Sequence, residues 1–85
     1  MDAYELVLSE SAAMVFATAA RSEQRRVAAV MEQMKVAPMR RGDLQERDAQ
    51  GRDNEILVVG DWVVTYWPDH ATREIRVVRL ERVEG

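Results

Sequence analysis

The apolar positions in the first half of the chain predict a short strand followed by two helices. Residues 4–8 favour a strand, and Ser9 is a good N-cap for a helix over residues 10–21. Ser22 can cap a second helix that runs to about Lys35. Each helix has apolar residues at the spacing of a packed helix face. These residues are Ala13, Phe16, Ala17 and Ala20 in the first helix and Val27, Val30, Met31 and Met34 in the second.

Apolar and polar residues alternate in the last third of the chain, which predicts β-strands. Three consecutive strands are expected at residues 55–59, 62–67 and 73–82. Gly60-Asp61 and the segment from Pro68 to Thr72 contain residues that favour the turns between them. Strands joined by such short turns form an antiparallel meander.

The alternation also predicts which face of the sheet each side chain occupies. In the middle strand, one face should present Trp62, Val64 and Tyr66, and the other Val63, Thr65 and Trp67. In the last strand, Arg76 and Arg82 should lie on one side and Arg79 on the other, unless a bulge interrupts the alternation.

The longest polar stretch, residues 37–51, follows the second helix and is predicted to be a loop of functional length. The elements together predict an α+β fold in the order β-α-α-β-β-β, with a two-helix hairpin packed on a four-stranded, mainly antiparallel sheet. We expect a single domain over residues 1–85. Its predicted core consists of Leu6, Leu8, Phe16, Val27, Val30, Met34, Trp62 and Val64.

The composition argues against several classes of protein. With no cysteine and one histidine, the chain is expected to have no disulfide, no metal site and no cofactor. It contains no apolar run of membrane-spanning length and no signal-peptide pattern, so we expect a cytoplasmic protein. The net charge of −3 does not fit the strongly positive field of a typical nucleic-acid-binding protein. Residues 21–52 nevertheless hold eight Lys and Arg against five Asp and Glu, which predicts a local basic surface.

The order strand, helix, helix, basic loop, three-stranded meander resembles the RelE/ParE superfamily of bacterial toxins over nearly the whole chain. The resembling segments are residues 4–9 (YELVLS), 36–38 (VAP), 42–44 (GDL), 51–52 (GR), 60–66 (GDWVVTY) and 73–80 (REIRVVRL). The resemblance implies a type II toxin–antitoxin pair in which a cognate antitoxin neutralises the toxin. The RelE branch implies an mRNA interferase that cleaves mRNA on the ribosome, and the ParE branch implies gyrase binding without nuclease chemistry.

The sequence also differs from the RelE-type nucleases. Val63 stands where these enzymes usually have an arginine on the third strand, and the sequence ends in Val83-Glu84-Gly85 where they often have a tyrosine or histidine. The nucleases are generally basic, whereas this chain is acidic. A second function therefore stays open, namely a non-catalytic module that binds gyrase or only its partners.

Cleavage of RNA needs a base, an acid and a cation at the phosphate. Arg52 and Arg79 are predicted to hold the phosphate, because a guanidinium group donates two parallel hydrogen bonds. His70 is predicted to transfer the proton, because the pKa of histidine lies near neutral pH. The alternative is that His70 is an exposed turn residue and that the arginines belong to a solvated surface.

Two further groups of residues are predicted to bind macromolecules. The predicted RNA-binding residues are Lys35, Arg40, Arg41 and Arg47. These bases would suit an acidic antitoxin segment equally well, or belong to a plain polar loop. Val63 and Trp67 are predicted to bind a partner protein on the exposed sheet face, and Trp67 could instead stack on an RNA base. Homo-oligomerisation is left open.

Overall fold

The computed structural model describes residues 3–83, which form two helices and a single sheet. The elements are β1 (Glu5–Leu8), α1 (Glu10–Thr18), α2 (Arg21–Val36), β2 (Leu44–Arg47), β3 (Asp53–Val59), β4 (Trp62–Asp69) and β5 (Glu74–Arg82). The strand order is β1-β5-β4-β3-β2, in which β1 runs parallel to β5 and the other neighbours are antiparallel. The predicted α+β class, with two helices on a mainly antiparallel sheet, is confirmed.

The sheet has five strands and not four, because part of the predicted loop over residues 37–51 is the edge strand β2. Leu44 of β2 pairs with Ile56 of β3, and Arg47 pairs with Asp53. The tight turn between them suits Gly51, whose φ of +80° is disfavoured for other residues. The strand β2 contains only one large apolar residue, Leu44, so its hydrophobic pattern does not distinguish it from a loop.

The start of the second helix differs from the prediction. Ala20, with extended backbone and no side-chain cap, is the N-cap of α2, and Ser22 lies exposed inside the helix. Only Ala19 and Ala20 connect α1 to α2, so the second helix begins before Ser22 is reached. The side-chain amide of Gln24, in the first turn of α2, donates to the carbonyl oxygen of Phe16 at 2.8 Å. It thereby provides a hydrogen-bond partner at the C-terminal end of α1, where carbonyl groups lack partners within the helix.

The apolar stripe of α1 is also shifted by one residue. Ala12 is fully buried, and the partly buried residues that follow it are Val15, Phe16 and Ala19. Three of the four residues predicted for this stripe are exposed instead, namely Ala13, Ala17 and Ala20. Because six consecutive residues of this helix, 12–17, are apolar, several stripes fit the sequence, and only packing against the sheet selects one.

The core lies between the helices and one face of the sheet. Of the predicted core, Val27, Met34, Trp62 and Val64 are buried, while Leu6, Leu8, Phe16 and Val30 are partly buried. Buried residues absent from that prediction are Ala12, Met31, Tyr66, Ile75, Val77 and Leu80. The last three belong to β5, which lies between β1 and β4 and is therefore covered on both edges. Neither described helix is long and apolar enough to cross a membrane.

The predicted turn at residues 68–72 begins two residues later in the structure. β4 continues through Pro68 to Asp69, and Arg73 ends the turn with a φ of +57°. The pairing between β3 and β4 ends at Glu55 and Tyr66. Pro68 lies beyond this pair, so β3 does not need a backbone N–H donor at its position. Proline is tolerated in a strand at such a position.

Ser9 joins α1 to the sheet, and replacing it with alanine is expected to lower the free energy of unfolding by about 1 kcal/mol. Its hydroxyl accepts from the N–H of Ala12 at 3.1 Å and donates to the carbonyl of Val78 at 3.0 Å. Urea unfolding measures the loss. Ser22→Ala is the matched control and should stay within about 0.5 kcal/mol, since Ser22 is not a cap. A larger loss for Ser22→Ala than for Ser9→Ala would contradict the assignment of the caps.

Candidate functional site

One face of the sheet is packed on the helices, and no described helix covers the other, which we call the open face. Trp62, Val64 and Tyr66 are buried toward the helices, as predicted from the alternation. The opposite positions of β4 are Val63, Thr65 and Trp67. Val63 and Trp67 are half-buried, and two neighbouring apolar side chains are exposed, Leu44 by 60% and Val58 by 50%.

A β-bulge in β5 brings two arginines together on the open face. Thr65 pairs with Arg79 but Tyr66 pairs with Val77, so Val78 is an extra residue in β5. The side-chain alternation reverses there, and Arg79 lies on the same side as Arg76, which pairs with Trp67.

Arg82 lies on the other side of the sheet. It pairs with Trp62, a residue of the helix-facing core, and lies 3.7 Å from Glu23 of α2. The predicted arrangement, with Arg76 and Arg82 on one side and Arg79 on the other, is therefore wrong.

Arg79 lies at the centre of the open face and is held by acidic side chains. It contacts Glu81 at 2.9 Å and Glu46 of β2 at 3.2 Å, and it donates to the hydroxyl of the fully buried Thr65 at 3.4 Å. Partial burial lowers the pKa of Arg79, but these two carboxylates raise it by more, so the net pKa is raised and the guanidinium stays charged. A phosphate bound here would have to compete with Glu46 and Glu81.

Arg52 lies over the ring of Trp67. Its guanidinium carbon is 3.9 Å from the ring centroid, and that of Arg76 is 5.9 Å away. The turn before β3 positions Arg52, because the Asp48 carboxylate accepts from the N–H groups of Gln50 and Arg52. The pKa of Asp48 is lowered, chiefly by the N–H of Arg52, so this carboxylate stays charged. Its ionic contact with the Arg52 side chain is long, at 3.9 Å.

His70 is positioned by the turn between β4 and β5. The hydroxyl of Tyr4 lies 2.8 Å from its Nδ1 atom, and the two rings meet edge to face. His70 lines a hollow together with Arg40, Arg41 and Pro38. Arg52 and Arg76 line a different hollow. Trp67 lines both hollows, but His70 and Arg52 do not line the same one.

The predicted RNA-binding bases differ in their partners. Lys35 pairs with Glu32 at 3.2 Å, Arg41 with Glu55 at 3.2 Å and Arg47 with Asp53 at 3.1 Å. Arg40 is exposed and has no ion pair among residues 3–83. Arg40 is therefore the base of this set whose charge is least neutralised by a neighbour.

Glu55 organises the segment before β2, a role that the sequence reasoning missed. Its carboxylate accepts from the N–H of Gly42 at 2.8 Å, from the amide of Gln45 at 3.0 Å and from Arg41. Burial alone would raise the pKa of Glu55, but these donors lower it by more, so the net pKa is lowered. A Cβ at position 42 would lie 2.6 Å from the carbonyl oxygen of Ile56, so glycine allows the close approach. The one available signal is an acidic residue opening the apolar run over residues 55–59.

The described residues contain no cluster of three or more side chains that could hold a metal ion. The helices on one face of the five-stranded sheet, with the other face open, form a RelE-like fold, as comparison with solved structures shows. No family sequence model matches the chain, and no curated protein sequence does.

Three solved structures show the likeness. The fold is similar to that of a chain in the RelBE2 toxin–antitoxin complex of Mycobacterium tuberculosis, with TM-score 0.77, 14% identity, and coverage of 94% of this chain and 98% of the other. For a chain of the archaeal RelE–RelB complex of Pyrococcus horikoshii OT3, the TM-score is 0.75 and the identity is 14%, and the match covers 94% of each chain. For the isolated E. coli RelE toxin, the TM-score is 0.76 and the identity is 13%, and the match covers 98% of this chain and 87% of the other. At these identities the likeness lies in the fold.

Proposed function

We propose that this protein is the toxin of a toxin–antitoxin pair, works in the cytoplasm and is neutralised by an antitoxin that covers its open face. The supporting observation is the likeness of fold, over nearly the full length, to RelE and to chains of RelE–RelB complexes. The apolar part of the open face also supports the proposal. Leu44, Val58 and Val63 lie on neighbouring strands and form a surface that a partner protein would bury.

The proposed action is cleavage of ribosome-bound mRNA. In this proposal Arg52 and Arg79 contact the phosphate, and His70 transfers a proton. Lys35, Arg40, Arg41 and Arg47 would contact the RNA backbone nearby, with Arg40 contributing most because it makes no ion pair among the described residues. We expect the activity to be weak, because Arg79 must exchange Glu46 and Glu81 for the phosphate.

A second candidate function is binding without catalysis, directed at gyrase or only at partner proteins. One observation favours it: His70 contacts Tyr4 and lines a hollow with Arg40, and neither Arg52 nor Arg79 lines that hollow. A proton-transfer group and a phosphate-binding group must both reach the same nucleotide. In this candidate, His70 is a turn residue.

The proposed toxin–antitoxin pair is tested by co-expressing this chain with the product of the adjacent short reading frame and purifying the complex. Trp67→Ala is expected to leave the fold intact and to weaken binding of that product about tenfold or more, because aromatic side chains dominate such interfaces. Calorimetry measures the affinity, and Val63→Ala should show a smaller loss.

The matched control is Met14→Ala, which removes a side chain that is 62% exposed on α1. It should not change the affinity. An unchanged affinity for Trp67→Ala would remove Trp67 from the interface. Failure of any neighbouring product to bind would contradict the toxin–antitoxin proposal itself.

A further inference from the structure

We propose that Trp67 is the stacking site for one unpaired RNA base, and that Arg52 covers its ring in the free protein and moves to the phosphate of the bound nucleotide. This inference rests on the proposed function and specifies how the open face contacts RNA. Trp67 lies outside the acid, base and cation set considered above, and Arg52 belongs to that set.

The geometry around Trp67 fits a flat ligand. The guanidinium carbon of Arg52 lies 3.9 Å from the ring centroid, which is the spacing of two stacked planar groups. The two side chains border a hollow of about 480 Å³, whose other walls include Val7, Asp69 and Arg76. The hollow therefore offers an aromatic face, apolar contacts and both donors and acceptors.

Arg52 is the arginine on this face that is most easily released. Arg79 contacts its two acids at 2.9 and 3.2 Å, and Arg76 contacts Glu74 at 2.6 Å and Asp69 at 3.2 Å. Arg52 has only the 3.9 Å contact with Asp48. An exposed arginine–aromatic stack contributes roughly two- to fivefold to an equilibrium. A base stacked on an aromatic ring contributes roughly five- to 150-fold, so a base can displace the guanidinium.

The charges on this face indicate that affinity for RNA comes from stacking of a base on Trp67 more than from electrostatic attraction of the RNA phosphates. Arg52, Arg76 and Arg79 are surrounded by five acids, Glu46, Asp48, Asp69, Glu74 and Glu81. A groove with this balance cannot attract a chain of phosphates in the way that a basic groove does. Stacking on an aromatic ring depends little on net charge, and it is the contact with RNA that an acidic protein can still make.

The test compares a hexamer of uridine RNA with a chain of the same number of ribose phosphates that lacks bases. Binding is followed by tryptophan fluorescence and by calorimetry at several salt concentrations. We expect the uridine hexamer to bind about tenfold tighter than the abasic chain. We also expect Arg52 to contribute about −0.7 to the slope of log affinity against log salt, as for a single phosphate contact. Trp62 is 3% exposed and should contribute a constant background.

Three variants separate the parts of the proposal. Trp67→Ala should abolish the preference for bases, and Trp67→Phe should keep part of it. Arg52→Ala should keep the preference, because the ring is then uncovered, while the salt slope becomes shallower by about 0.7. Arg25→Ala removes an exposed arginine of α2 and should change neither quantity.

Equal binding of the two hexamers, or a base preference that survives Trp67→Ala, would overturn the stacking site. A salt slope that Arg52→Ala leaves unchanged would overturn the proposed move of Arg52 to the phosphate. Loss of antitoxin binding in Trp67→Ala without any base preference would make the ring a protein-binding residue only. The toxin–antitoxin proposal is judged separately by co-purification, so either proposal can fail while the other stands.

Discussion

Replacing Glu55 with alanine is expected to lower the free energy of unfolding by about 2–3 kcal/mol, because several donors lose a largely buried acceptor. The carboxylate is 10% exposed and accepts from the N–H of Gly42, from Gln45 and from Arg41. For a domain of this size the loss corresponds to a fall in Tm of roughly 10–20 °C. Thermal and urea unfolding measure it.

The contribution of Glu55 should also depend on pH. Its pKa in the folded protein is lowered from the ordinary value of 4.5, so folding favours the charged form. The stabilisation is therefore fully present above about pH 5 and is lost as the pH falls below 4.5 through the folded pKa. Glu55→Gln should reduce this part of the acid dependence, because glutamine does not titrate in this range.

Glu32→Ala is the control for both measurements. Glu32 is 67% exposed and pairs with Lys35 on the surface of α2, so its loss should change stability by no more than about 0.5 kcal/mol. A Glu55 variant no less stable than the Glu32 variant would contradict the proposed role of Glu55. An unchanged acid dependence in Glu55→Gln would show that other carboxylates determine it.

Expression of the protein without its antitoxin is expected to arrest growth, with weak cleavage of ribosome-bound mRNA. Arg79→Ala and His70→Ala should each lower the cleavage rate about a hundredfold or more, the usual cost of removing a positioned charge or proton-transfer group. Arg52→Ala should lower the cleavage rate as well. Mapping the 5′ ends of the mRNA in each strain, together with growth, measures the effect.

Arg25→Ala is the matched control, because Arg25 is an exposed arginine of α2 without an ion pair among the described residues. Cleavage by His70→Ala at the wild-type rate would make His70 a turn residue. Growth arrest without cleavage in the wild type and in every variant would favour the non-catalytic candidate. Equal amounts of each protein in the cells must be established for these comparisons.

Several features of the fold could not be read from local sequence. The bulge at Val78 lies directly after the last β1–β5 pair, Leu8 with Val77, and no residue type in β5 marks it. It decides that Arg76 and Arg79 share a face. The edge strand β2 is likewise stabilised by its pairing with β3 and by the donors around Glu55. Neither feature has a hydrophobic period of its own.

The candidate site was predictable only in part. The alternation in β4 placed Val63 and Trp67 on the exposed face, because a strand without a bulge repeats every two residues. The pairing of Arg41 with Glu55 and of Arg47 with Asp53 was not predicted. Such ion pairs join residues 14 and six positions apart, and they depend on how β2 folds back on β3.

The sequence by itself determined the class of the fold and the order of its elements apart from the edge strand β2. The helical spacing and the strand alternation recur over enough residues that hydrophobic burial leaves one arrangement, two helices on one face of a mainly antiparallel sheet. Tertiary structure alone decided the register. It selected the stripe of α1, inserted the bulge in β5, and placed Arg52 over Trp67 but His70 beside Tyr4. The physical reason is that these choices depend on contacts between residues far apart in the chain, where each local alternative has nearly the same free energy.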